Sequence, residues 1–121
     1  MRFFKLGETV DSKFTFLDQT TGEAVDVTNP QYNIVYFDGP VEIEVVTWST
    51  LTKLPGKTGE YVCSWEIPLT VPENETYFVT AKGTYDGATT VIEDFYRILP
   101  EDFFSGGGDS GTGLVIKFTK P

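Results

Sequence analysis

The 121-residue chain has no histidine, one cysteine and one methionine. Without histidine, Ser–His and Cys–His nucleophile systems are excluded and the commonest metal ligand is missing. The lone Cys63 cannot form an intrachain disulfide or build a multi-thiolate zinc site. Positive charge is scarce: nine Lys and Arg stand against eighteen Asp and Glu, a net charge of −9. An acidic chain without a basic stripe repels phosphate backbones, so no nucleic-acid partner is expected. No apolar run approaches the ~20 residues of a membrane-spanning helix, and no membrane partner is expected. In the opening "MRFFKLGETV", Lys5, Gly7 and Glu8 interrupt any export-signal core, and none is expected.

What the chain does have is aromatic residues and alternation. Ten Phe, six Tyr and two Trp favour strands over helices. In "VDSKFTFL", Val10, Phe14 and Phe16 share a face, and Asp18–Gly22 supplies turn chemistry. A short strand is expected over Ala24–Val27, stopping at Asn29-Pro30 because proline cannot donate to a ladder. In "YNIVYF", Tyr32, Ile34 and Tyr36 face one way, Val35 and Phe37 the other. In "VEIEVV", Val41, Ile43 and Val45 alternate with Glu42 and Glu44, the pattern of a sheet with one wet face. "EYVCSWEIP" turns Tyr61, Cys63, Trp65 and Ile67 inward, so Cys63 reads as a small buried hydrophobe. Two further alternating runs, Thr76–Tyr85 and Thr89–Ile98, flank Asp86-Gly87, a strong hairpin signal.

Seven or eight short strands before Pro100, with turn signals every eight to twelve residues or so, match an all-β, immunoglobulin-like antiparallel sandwich. A small β-barrel is the alternative, since spacing alone cannot show closure. The expected organisation is a sandwich over residues 1–100, with 1–6 as an N-terminal arm, followed by a Gly-rich arm over 101–121. That arm reads "FFSGGGDSGTGLVIKFTKP" from Phe103, with five glycines between Gly106 and Gly113. Glycine explains reach. Leu114, Ile116 and Phe118 then alternate with Val115 and Lys117 as one further strand, for which docking on an open sheet edge is expected, in its own domain or a neighbour's.

The remaining chemistry is sparse. "GGGDSGTG" lacks the Lys-Ser/Thr ending of a phosphate loop and follows a strand instead of opening a helix. The pairs Glu42/Glu44, Glu93/Asp94 and Glu101/Asp102 are acidic neighbours, not acids facing each other across a cleft. Asp18, Asp26, Asp38, Asp86 and Asp109 fall in loops, but no twelve-residue calcium loop is present. No catalytic residue, cofactor or metal is therefore expected. Trp48 shares the parity of Glu42 and Glu44, which makes it the candidate exposed contact residue, with core packing against a second sheet or loop favoured over a ligand platform. Phe3, Phe4 and Leu6 place apolar groups ahead of the first obvious strand, as a docking arm would.

The run from Gly59 to Leu99 resembles Ig-like domains in virion proteins of tailed bacteriophages. The matching residues are Gly59, Tyr61, Trp65, Ile67, Pro68, Tyr77, Gly87, Phe95 and Ile98. "GETVDSKFTFLDQTTGEAVD" resembles the first strand and turn of such domains, so the likeness covers about residues 7–99. It implies a non-enzymatic virion protein: capsid decoration or head fibre first, a neck or tail accessory second. Its partners would be capsid proteins or neighbouring subunits in a homo- or hetero-oligomeric assembly. An Ig-like module for carbohydrate or cell-surface recognition is the other reading. The segment from Pro100 onward has no counterpart in the family pattern.

Overall fold

The computed structural model describes residues 1–101, from which eight strands and no helix element form between Arg2 and Ile98. The strands are β1 (Arg2–Phe4), β2 (Thr9–Thr15), β3 (Thr28–Asp38), β4 (Val41–Thr50), β5 (Thr52–Lys53), β6 (Glu60–Glu66), β7 (Glu75–Tyr85) and β8 (Ala88–Ile98). They make a five-stranded sheet, ordered β1-β8-β7-β3-β4, and a three-stranded sheet, ordered β2-β6-β5. The two sheets pack as a sandwich and do not close into a barrel. All pairings are antiparallel except β1 with β8, which is parallel, so the chain's first and last described strands are neighbours.

Alternation fills the space between the sheets. β2 contributes Val10 and Phe14, with Phe16 just past its end; β6 contributes Tyr61, Cys63 and Trp65; β7 contributes Tyr77, Val79 and Ala81. Trp65 spans the layers, with its ring 5.7 Å from that of Tyr77 and 6.4 Å from that of Tyr96. Buried phenols need partners, and two find backbone. Tyr77 Oη donates to the Pro72 carbonyl at 2.6 Å, and Tyr61 Oη accepts the Val27 amide at 3.0 Å.

The sandwich's open side is tied by Arg2. Its guanidinium donates to the Asp11 carbonyl on β2 at 3.0 Å and pairs with Asp94 on β8 at 2.8 Å. The same group lies over the rings of Phe4 and Tyr96. One side chain thus joins both sheets through charge and aromatic faces.

Two turn positions require backbone that L-side chains resist. Asp86 and Gly87, at φ 52° and 80°, make the two-residue connection between Tyr85 and Ala88. Two successive positive φ values match the right-handed twist of the flanking strands. Gly59 combines φ 74° with close backbone: a Cβ there would lie 2.9 Å from the Phe16 carbonyl and from both Val25 backbone polar atoms. Its amide donates to Asp26 Oδ1 at 2.7 Å, which holds that carboxyl below its ordinary range.

One expectation is corrected between Ala24 and Pro30. Ala24 makes only an isolated bridge to Leu17, and β3 starts at Thr28 and runs through the proline. An irregularity in the β7 pairing between Thr28 and Gln31, with Asn29 at φ 53°, places Pro30 at a bulge where no ladder donor is needed. The expected last strand, with Leu114, Ile116 and Phe118, lies outside the described residues.

Candidate functional site

Three strands of the five-stranded sheet carry adjacent aromatic pairs: Tyr36-Phe37, Tyr77-Phe78 and Phe95-Tyr96. Side chains alternate across a strand, so one member of each pair must turn away from the core. In each case the tyrosine turns in and the phenylalanine turns out. Phe78 opposes Phe95 directly across the β7–β8 ladder, and Val35 of β3 opposes Phe78 on the other side. The three outer rings form a row of edge-to-face contacts. Phe37 and Phe78 are 5.8 Å apart at 78°, and Phe78 and Phe95 are 6.2 Å apart at 79°. Phe37 and Phe95 remain 43% and 44% exposed, and Val91 further along β8 is 61% exposed.

Charge on this face is asymmetric. Among the described residues, its two cations are already engaged. Lys82 Nζ sits 3.9 Å from the centre of the Trp48 ring, while Arg97 donates to the Asn74 carbonyl and to Thr76 Oγ1. The acids are Glu42 opposite Phe37, Glu44 opposite Val35 and Glu93 opposite Thr80. None of the three makes an ion pair among the described residues. Glu44 accepts from Asn33 Nδ2 at 3.0 Å. Asn33 Oδ1 is buried on the same side and has no donor among the described residues. An orphaned buried acceptor carries a desolvation cost that a donor from outside would remove.

Trp48 reaches the outer face as expected, by a route the alternation did not show. Two irregularities in the β3–β4 register, one on each side of Ile34, cancel and restore its parity. Lys82 over its ring leaves it 38% exposed, so one ring face is not open to a ligand. The N-terminal candidates separate. Phe3 stands opposite Arg97 and is 41% exposed, whereas Phe4 and Leu6 pack against the core, with Phe4 edge-on to Tyr96 at 5.6 Å. Residues 2–4 are therefore a strand of the sandwich. Leu114, Ile116 and Phe118 fall outside the described residues.

Alternation did not single out the aromatic row. The signal lay in the three aromatic doublets, whose outward members meet only once strand order is known.

Elsewhere, a cleft of about 170 Å³ lies between the Leu17–Thr20 loop and the β7–β8 turn, lined by Asp18, Tyr85, Asp86 and Thr90. Asp18 is occupied locally, accepting the amides of Thr20 and Thr21. Among the described residues, no group of three His, Cys, Asp or Glu side chains is placed to hold a metal ion. Cys63 is buried, and burial pushes its thiol up to about 11, away from thiolate chemistry.

No family model, curated protein or solved structure matches the chain. The site is therefore read from its geometry.

Proposed function

We propose that this chain is a non-enzymatic structural subunit that joins a larger assembly through the outer face of its five-stranded sheet. The observation that carries this is the exposed Phe37–Phe78–Phe95 row. Aromatic rings at half exposure, packed on one another and ringed by polar groups, mark protein contact surfaces. The partner is a different protein, presenting apolar groups with Lys or Arg at the rim. A chain of net charge −9 with Glu42, Glu44 and Glu93 around the row repels its own copy and attracts a cationic surface.

The virion role implied by the Ig-like resemblance fits this reading: capsid decoration or head fibre first, neck or tail accessory second. Support comes from the sandwich architecture, the absence of histidine and the acidic outer face. An antibody against the chain, applied to particles purified from the source of the gene, should label them. Stripped particles should rebind the wild-type protein saturably, and the Phe37→Ser/Phe95→Ser double variant at least tenfold more weakly. Particles that carry no label and take up no protein would overturn the reading.

A further inference from the structure

Away from the aromatic row, the cleft of about 170 Å³ opens between the Leu17–Thr20 loop and the β7–β8 turn. Tyr85, which lines it, lies seven residues beyond Phe78 along β7, or roughly 23 Å. The cleft is therefore a surface separate from the row.

Both of its walls are held by backbone. The Asp18 amide donates to the Glu23 carbonyl at 2.8 Å, the Gly22 amide to the Asp18 carbonyl at 2.7 Å, and the Val25 amide to the Phe16 carbonyl at 3.0 Å. On the other wall, Tyr85 and Ala88 are the last pair of the β7–β8 ladder, and Asp86-Gly87 closes it. Val27 also lines the cleft. Its amide is bonded to Tyr61 Oη, and its side chain fills the space that a Cβ at Gly83 would need. A cleft set by ladder bonds and a close-packed side chain is formed before any ligand arrives.

The lining has two parts. Phe16, Leu17, Val25, Val27, Tyr85 and Ala88 are apolar or aromatic, and Leu17 and Tyr85 stay 49% and 40% exposed. Asp18 and Asp86 supply charge, and neither makes an ion pair among the described residues. Asp18 Oδ1 accepts the amides of Thr20 and Thr21 at 2.7 and 3.2 Å, which fixes the carboxyl and leaves Oδ2 for an outside donor.

Size and charge select the occupant. Clefts for drug-sized molecules run to about 300–1,000 Å³, so this one suits a single side chain. An apolar wall favours a stem of methylene groups, and two acids favour a positive tip. The half-exposed phenol of Tyr85 adds a face on which a flat cation can stack, and a guanidinium donates to carboxylates in pairs. A lysine ammonium, a strongly hydrated point charge, gains less from the ring.

We propose that this cleft binds the side chain of an arginine presented by a partner protein. Its stem lies along Leu17, Val25 and Val27, and its guanidinium lies between Tyr85 and the carboxylates of Asp18 and Asp86. The net charge of −9 draws such a residue in.

The full chain should be titrated with the peptide acetyl-Gly-Arg-Gly-amide and with its citrulline counterpart, which keeps the shape and lacks the charge, while amide chemical shifts are followed. The arginine peptide should move the amides of residues 17–20 and 85–90 along saturating curves. The citrulline peptide should bind roughly tenfold more weakly, and so should the arginine peptide to the Asp18→Asn/Asp86→Asn variant. Both substitutions spare the fold. Asparagine at 18 still accepts the two loop amides, and asparagine at 86 tolerates the φ of 52°. Shifts that rise linearly, that the citrulline peptide or the double variant reproduces, or that centre on Phe37, Phe78 and Phe95 would overturn the proposal. Binding of n-butylguanidinium but not of the arginine peptide would overturn it too, assigning the cleft to a free small cation. Particle binding plays no part in these titrations, so failure here and failure of the assembly reading are distinguishable.

Discussion

The two faces of the five-stranded sheet are built from the same three aromatic doublets, yet they behave as different materials. On the inner face, Tyr36, Tyr77 and Tyr96 are packed against Trp65 and the aliphatic core. On the outer face, Phe37 and Phe95 each pack edge-on against the half-buried Phe78 and keep a large part of their own area in water. The partition runs against simple hydrophobicity, since the more polar ring goes inside. A tyrosine at the edge of a layer can hand its hydroxyl to backbone, as Tyr77 does to Pro72. A phenylalanine outside has no hydroxyl to satisfy, and it can keep its ring edge-on to a neighbour at the surface. The inner face stabilises the domain and the outer one is available for association.

Substitutions on the two faces should therefore separate in magnitude and in kind. The largest effect is expected in the core that the inner face packs against, at Trp65 of β6. Trp65→Ala should cost about 3–5 kcal/mol in denaturant unfolding, because it leaves a cavity between Tyr77 and Tyr96. Gly59→Ala tests whether the inner face also depends on backbone outside the sheet. Positive φ and three backbone atoms at 2.9 Å should together cost about 2 kcal/mol, and a loss within a few tenths would show that the Val25 segment yields freely. Phe95→Ser on the outer face should cost only about 1 kcal/mol, the loss of one edge-to-face contact and part of a side chain's burial. If Phe95→Ser destabilised as much as Trp65→Ala, the outer row would belong to the core and the contrast would fail.

The smallest change is expected with pH near neutrality. With no histidine, stability should be nearly flat between about pH 5 and 8. The contrast returns in alkali, through groups buried in the core that the inner face covers. Burial raises Cys63 from 9.0 to about 11 and raises Tyr77 and Tyr96 above the ordinary 10.0. Groups raised in the folded state contribute stability below their unfolded values and lose it as pH rises toward the folded ones. Unfolding midpoints should therefore fall from about pH 9 upward, and thermal melts across that range would check it. Midpoints that stay level to pH 11 would show that the folded thiol and phenols ionise as freely as in the unfolded chain.

Much of the fold was legible residue by residue. The inward set of β6, the placement of Val35 and Phe37 on the face opposite Ile34, and the Asp86-Gly87 hairpin all follow from alternation and turn chemistry. The start of β3 did not, because Pro30 reads as a stop and only pairing with β7 shows it at a bulge. Trp48 was placed on the correct face only because two register shifts cancel. Of the N-terminal aromatics, nothing local distinguishes Phe3 from Phe4; the parallel pairing of β1 with β8 does.

By itself, the sequence determined what each strand buries and what chemistry is missing. Period-two alternation is a local property, and a residue type that is absent cannot be supplied by folding. It also determined that three strands must each expose an aromatic ring or bury it at the expense of its neighbour. Only the tertiary structure decided that the three outward rings become one surface. Strand order is set by which long-range pairings close, and β8-β7-β3 places Phe95, Phe78 and Phe37 side by side from positions up to 58 residues apart. The same order leaves β4 at an edge, with its acids outward and Val41 uncovered.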